Sequence, residues 1–285
     1  MDYRVDWFFM NIALVTDSTA DLPLALVERH KIQVVPNVLV IDGESVEEGT
    51  GISRREFYER LPTMQSLPTT STASAGAYKV VYERLLAEGA DYIFSIHVSR
   101  HLSGIFNAAS AAAEPFGDCI RVVDSGQLTL GIGFQVLAAA EAASRGGTPD
   151  AVMDAIENVQ QRVLVIAMLD TLEYIARSGR VSWARARIGN LLRIKPFIKV
   201  IDGDVLRMGD VRTRKKGIDR LQDMVYNLGP LERLGILHSN AEPDAYQILQ
   251  ELAIELPTDP LVVNVTTVIG VHVGPNGLGF AAVTI

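Results

Sequence analysis

The chain has 285 residues, is 48% hydrophobic and carries a formal net charge of −8, which suffices for a sizeable core in one large domain or two ordinary ones. The acidic balance argues against general affinity for nucleic acid or an anionic membrane, and no apolar run reaches the ~18–20 residues of an integral membrane segment. The single Cys119 excludes an intrachain disulfide and a cysteine metal cluster. Met1–Phe9 contains Asp2 and Asp6 and only a brief apolar run, so it does not read as a secretory signal. Met10 stands just before the first strand, so residues 1–9 are expected to be an extension ahead of a start at Met10. A cytoplasmic location follows as the default expectation.

Ile12–Val15 reads as a short buried strand that runs into the polar loop Thr16–Asp21, with a helix whose first turn holds Pro23. Gln33–Ile41 reads as one strand closed by the turn pair Asp42-Gly43. Ser53 with Glu56 forms a capping box for a helix over Arg54–Leu61. The hydroxyl-rich stretch Thr69–Ser74 reads as a loop, with Ser74 capping a helix over Ala75–Ala87. Tyr92–Val98 is a strand, Ile105–Ala113 a helix that stops before Pro115, Ile120–Val123 a strand and Leu128–Ser144 a long helix. Thr148-Pro149-Asp150 opens a further helix. Val163–Met168 is a strand, and Asp170 is placed to cap a short helix that ends near Ser178-Gly179. Ser182 caps a helix over Trp183–Leu192, and Pro196–Ile201 with Val205–Met208 forms a hairpin turning at Gly203. A helix over Thr213–Leu228, a strand Arg233–Leu237, a helix near Pro243–Glu255 and a strand Leu261–Val265 follow. The glycine-rich tail Val271–Gly279 leads to a last strand ending at Thr284.

This alternation predicts an α/β fold: an N-terminal mostly parallel sheet flanked by helices over residues 10–160, and a second α+β domain over 161–285. In such sheets ligands bind beyond the carboxyl ends of the strands. Polar loops gather there around Asp17-Ser18, Ser103-Gly104 and Asp124-Ser125-Gly126. Ser103 and Gly104 sit between a strand and a helix, where free N–H groups and the helix dipole favour an anion. The plain alternative is that Ser103 only caps the helix.

Other signals are weaker. His97 and His101 are four apart but at a strand end, so no metal is expected. Gly131-Ile132-Gly133 lies inside a helical pattern and lacks a third glycine, no Walker sequence is present, and no G-x-S-x-G elbow occurs. Tyr174–Ile201 has no Asp or Glu but holds Arg177, Arg180, Arg185, Arg187, Arg193, Lys195 and Lys199. It reads either as a solvated helix face or as a docking surface for an acidic partner or a phosphate. Arg212, Arg214, Lys215 and Lys216 form a second basic cluster at a helix start, where the dipole disfavours cations.

Taken together, these pieces resemble the DegV family of bacterial fatty-acid-binding proteins. The resemblance is carried by Val15–Pro23, Thr70–Ser74, Leu102–Ala109, Val123–Ser125, Gly179–Ser182, Lys195-Pro196, Val211–Lys216 and His272–Pro275, in this order and spacing. One departure is Thr72-Ala73, where the family often has Gln-Pro. The resemblance implies a two-domain protein holding one long-chain fatty acid in a tunnel between its domains, with that fatty acid as ligand and no cofactor. It implies that Thr70, Ser71, Ser103 and Gly104 bind the carboxylate with His272 nearby. It implies that the protein itself has no catalytic residues, and that an ATP-dependent fatty acid kinase phosphorylates the presented carboxylate. The acyl phosphate then enters phospholipid synthesis. Arg180 and Arg212 are implied to face the kinase or the acyl phosphate. Two other functions stand beside this one: a serine esterase using Ser103 as nucleophile and His272 as base, and a lipid sensor without a kinase partner.

Overall fold

The computed structural model describes residues 10–185 and 194–285. The expected extension Met1–Phe9, and Arg187 and Arg193 of the basic segment, lie outside the described residues. The first half runs β1 (Ile12–Asp17), α1 (Leu24–Arg29), β2 (Gln33–Val35), β3 (Val38–Ile41), β4 (Glu44–Glu47), α2 (Arg54–Arg60), β5 (Thr69–Ser71), α3 (Ala75–Ala87), β6 (Tyr92–His97), α4 (Ile105–Ala113), β7 (Ile120–Asp124), α5 (Leu130–Ser144) and α6 (Pro149–Arg162). The second half runs β8 (Val163–Met168), α7 (Glu173–Ser178), α8 (Ser182–Arg185), β9 (Lys195–Ile201), β10 (Asp204–Val211), α9 (Arg214–Tyr226), β11 (Leu231–His238), α10 (Glu242–Glu251), β12 (Leu261–Asn264), α11 (Thr267–Val273) and β13 (Leu278–Thr284).

Three sheets result. A parallel sheet has the order β2-β1-β6-β7, and a six-stranded sheet has the order β10-β9-β8-β13-β11-β12. The latter is antiparallel except for the parallel β11–β12 pair. A small antiparallel sheet, β4-β3-β5, joins them. The last strand, β13, inserts at the centre of the six-stranded sheet between β8 and β11. Helix α5 is buried almost all round because it packs on strands of both larger sheets, which explains its apolar character on every face. Gly131 and Gly133 allow this fit: a Cβ would lie 2.8 Å from Val165 Cγ2 at the first and 2.7 Å from the Ala20 carbonyl oxygen at the second. One continuous core extends from Leu14 to Val283, and a second lies on the far face of the six-stranded sheet under α9 and α10.

Local signals place several helix starts. The hydroxyls of Ser53, Ser74, Thr148 and Thr213 each accept an N–H of the first helical turn. Four expectations need correction, and a fifth reaches beyond the described residues. Gln33–Ile41 is not one strand: Pro36 lacks a donor, Asn37 turns its N–H and side chain to Ser18 Oγ, and the two pieces join different sheets. Thr69–Ser71 is a strand that pairs with β3, not a loop. Asp170 does not cap α7, because its carboxylate is taken by Lys195 and Arg214. Of the helix expected over Trp183–Leu192, α8 covers Ser182–Arg185, and 186–193 lie outside the described residues. His272 lies in the last turn of α11, where a glycine-rich loop was expected.

Candidate functional site

A largely apolar cavity lies between the carboxyl edge of the parallel sheet and the inner face of the six-stranded sheet. The space between its atoms, open mouth included, is about 1100 Å³. The first half supplies Val98, Leu102, Ile105 and Leu128, and the second supplies Val165, Val200 and one stripe of α11. That stripe is Val268, Ile269, His272 and Val273, the spacing of one helical face, with Val265 just ahead of the helix.

A few polar groups meet at one part of this wall. Thr70, Ser103, Arg180 and His272 all line the cavity. Thr70 Oγ1 lies 3.2 Å from His272 Nε2. The loop at Ser103-Gly104 abuts the Thr70–Thr72 segment, since a Cβ on Gly104 would sit 3.8 Å from Thr72 Cγ2. Burial and the Arg180 guanidinium push His272 down to about 4, so its ring is neutral near pH 7. Its Nδ1 is buried without a partner. A buried N–H left without an acceptor costs about 1–3 kcal/mol, and an unused lone pair costs less. The ring proton therefore belongs on Nε2, donated to Thr70. Ser103 Oγ accepts the Ile105 N–H at 3.4 Å. Each hydroxyl thus already accepts one hydrogen bond from the protein. Among the described residues no acceptor takes their protons, which can point into the cavity as donors.

Not every residue marked in the sequence is here. Ser71 is exposed, and its hydroxyl donates to the Thr72 carbonyl at 3.5 Å. Successive residues of a strand face opposite ways, so β5 turns Thr70 inward and Ser71 out. Gly104 is exposed at the N-cap position of α4, and Ser103 is one residue ahead of that cap. Arg212 is exposed between β10 and α9 and does not line the cavity. The basic segments are partly neutralised by acids outside them. Arg177 pairs with Glu173 at 3.0 Å, Lys195 with Asp170, and Arg214 with Asp170 and Asp244.

The arrangement expected of an esterase is not assembled. His272 Nε2 faces Thr70 rather than Ser103, and no carboxylate orients its Nδ1. A Ser–His–Asp line does exist elsewhere: His97 Nδ1 is 2.9 Å from Asp17 Oδ2, and its Nε2 is 2.7 Å from Ser95 Oγ. All three are sealed from solvent, and Ser95 is also bonded to the Tyr82 hydroxyl. Burial pushes Asp17 up, but the hydrogen bond and charge of His97, with help from Thr19, hold it below its ordinary value. This line pins the ends of β1 and β6, just ahead of Thr19 and Val98, which line the cavity.

Sequence reasoning missed a second buried network. Asp21 accepts the Thr129 hydroxyl at 2.7 Å and the Thr266 N–H at 2.8 Å, with Arg54 at 3.3 Å. Glu48 accepts both the N–H and the hydroxyl of Thr267. Burial raises Asp21 to about 7, with a further push from Glu48 and against the pull of Arg54, Thr129 and Thr266. The partners of Glu48 lie 219 residues away, so no local pattern could have announced it.

Two sheets closing on an apolar cavity, with hydroxyl donors gathered at one part of its wall, define an α/β protein built to enclose an amphipathic small molecule. A model described as "Uncharacterised protein, DegV family COG1307" matches residues 11–284. The chain belongs to the DegV family. It is 37% identical over 273 residues to the DegV domain-containing protein SCO2569 of Streptomyces coelicolor, covering 94% of this chain and 97% of that one. It is 35% identical over 277 residues to Protein DegV of Bacillus subtilis, covering 95% and 98%. A solved DegV family protein from Thermus thermophilus, described by its fatty acid binding, superposes with a TM-score of 0.89 at 33% identity over 97% of this chain and 100% of that one. The solved Bacillus subtilis DegV, described as a fatty acid binding protein, gives 0.84 at 33% identity with the same coverage. Among the described residues no helix is long and apolar enough to cross a membrane.

Proposed function

We propose that this chain binds one long-chain fatty acid in the cavity and holds its carboxylate at Thr70 and Ser103. The observation that carries this reading is the apolar cavity with hydroxyls that each already accept a bond from the protein and keep their own proton for a ligand. Such hydroxyls offer donors to a head group that can only accept, as a carboxylate does. The solved relatives described as fatty acid binding support the same choice of ligand. Burying an acyl chain is worth roughly 0.8 kcal/mol per methylene, so about sixteen carbons supply on the order of 12 kcal/mol before the costs of binding. The chain supplies the affinity, and the hydroxyls orient the head group.

The presented carboxylate is the substrate of an ATP-dependent fatty acid kinase, and the acyl phosphate feeds phospholipid synthesis. The protein acts as carrier and not as catalyst. Neutral donors suit this role, because a lysine or arginine locked onto the carboxylate would resist its conversion to acyl phosphate. Arg180 is exposed, lines the cavity and lies close enough to lower His272. It stands where a partner could reach the head group, and Arg212 offers a second cationic contact outside the cavity. The test is to load the purified chain with palmitate and add a fatty acid kinase and ATP. Acyl phosphate forming only when chain, kinase and ATP are all present supports the reading. Phosphorylation that proceeds equally without the chain overturns it.

A further inference from the structure

The helix that carries His272 is held by side chains from the other half of the protein. The Thr266 N–H donates to Asp21 Oδ1 at 2.8 Å. Thr267 gives its N–H and its hydroxyl to Glu48 Oε1 at 2.8 and 2.9 Å. Tyr58 donates its hydroxyl toward the carbonyl oxygens of Val265 and Thr266, 3.0 and 3.2 Å away. Arg54 links Asp21 to the Asn264 carbonyl. Gly270 leaves the room this needs, since a Cβ there would lie 2.6 Å from the Tyr58 hydroxyl.

Capping alone does not call for two carboxylates. Thr266 already accepts the Ile269 N–H, as a local N-cap does. Asp21 and Glu48 are both buried, and burying carboxylates is costly. Among the described residues Arg54 is the one ion-pair partner of Asp21, and Glu48 has none. Glu48 Oε2 is buried with no hydrogen-bond partner. What these contacts add is position. The same short helix presents Val268, Ile269, His272 and Val273 to the cavity. His272 follows Thr267 by five residues, about 7–8 Å along a helix axis, and there it meets Thr70. The helix is thus tied to the first half of the chain at both ends, by Asp21 and Glu48 at its start and by Thr70 at its last turn.

We propose that Asp21 and Glu48 are positioning residues for the polar part of the cavity: by gripping Thr266 and Thr267 they seat α11 and set the His272–Thr70 contact. Their effect on affinity rests on the fatty-acid reading above, whereas their effect on the His272 ring does not.

The test uses three variants of the full chain and two readouts. Glu48→Leu removes the acceptor of both Thr267 bonds, Thr267→Val removes one of them, and Glu48→Gln keeps an acceptor oxygen. The readouts are the imidazole 1H–15N resonances of His272 without ligand and the dissociation constant for palmitate. Glu48→Leu is expected to move the His272 resonances and weaken palmitate binding about ten-fold, and Thr267→Val about three-fold in the same direction. Glu48→Gln is expected to restore both readouts. Folded Glu48→Leu and Thr267→Val proteins with wild-type His272 resonances and wild-type affinity overturn the proposal and leave Glu48 a purely structural residue. If Glu48→Leu does not fold, Thr267→Val decides between the same two results. If the wild-type chain binds no palmitate but the His272 resonances shift as stated, the positioning role stands and the choice of ligand fails.

Discussion

Thr70→Val removes a hydroxyl and keeps the branched shape, so its consequences follow from the bonds of one oxygen. Thr70 Oγ1 accepts from His272 Nε2 and turns its proton to the cavity. Loss of a hydrogen bond to a charged group is worth about 1.5–3 kcal/mol, so the dissociation constant for palmitate should rise about 10- to 150-fold. The His272 Nε2–H also loses its acceptor, at a cost of about 1–3 kcal/mol. That cost is present with and without ligand, so it appears in stability and cancels from binding. Thr70→Ser keeps the oxygen and should bind within a few-fold of wild type. Calorimetric titration with palmitate, paired with urea unfolding of the ligand-free protein, separates the two effects. A Thr70→Val protein that is destabilised yet binds palmitate as wild type does would refute the reasoning, because the hydroxyl would then serve the fold and not the head group.

Three further outcomes are expected. Ser103→Ala removes the second donor, together with the acceptor of the Ile105 N–H at the start of α4, and should weaken palmitate by about ten-fold; equal binding by wild type and variant in the same titration would remove Ser103 from the site. Asp21 is raised from 3.8 to about 7 on folding, so it contributes stability below about pH 4 that is lost as pH rises through 7, on the order of 4 kcal/mol in all. His238 and His272 are lowered to about 4 and act the other way, their stability being lost as pH falls from about 6.5 towards 4. The Asp21→Asn variant cancels the first effect alone: its unfolding free energy relative to wild type should rise by about 1.4 kcal/mol per pH unit between about 4 and 7, and a flat difference over pH 5–8 contradicts this. Gly270→Ala should cost about 1–3 kcal/mol by urea unfolding, because the new methyl overlaps the Tyr58 hydroxyl; an unchanged midpoint would show that Tyr58 moves aside freely.

The sequence was informative where structure is decided locally. Ser53, Ser74, Thr148 and Thr213 each announce a helix start through a bond spanning three residues. The continuous apolar runs of β1 and β6 announce strands buried on both faces. Information was lost where distant segments decide. Helix α11 is rich in β-branched residues and contains Gly270, so its propensity is poor, and its start is secured by Asp21 and Glu48 from the other half of the chain. The three-residue strand β5 exists because β3 pairs with it, and only that pairing separates the inward Thr70 from the outward Ser71. Within the candidate site, Thr70, Ser103, Arg180 and His272 line one cavity, whereas Ser71, Gly104 and Arg212 lie outside the lining. Arg180 belongs to the cavity wall as well as to the exposed surface, so reversing its charge is expected to disturb the head group along with any partner.

The central claim is that the cavity holds one fatty acid by its carboxylate. Mass spectrometry of the purified chain, first native and then denatured with extraction of the released lipid, tests it most directly. One long-chain fatty acid per chain is expected, depleted in Ser103→Ala and Thr70→Val. A chain that emerges empty and takes up no added fatty acid would contradict it.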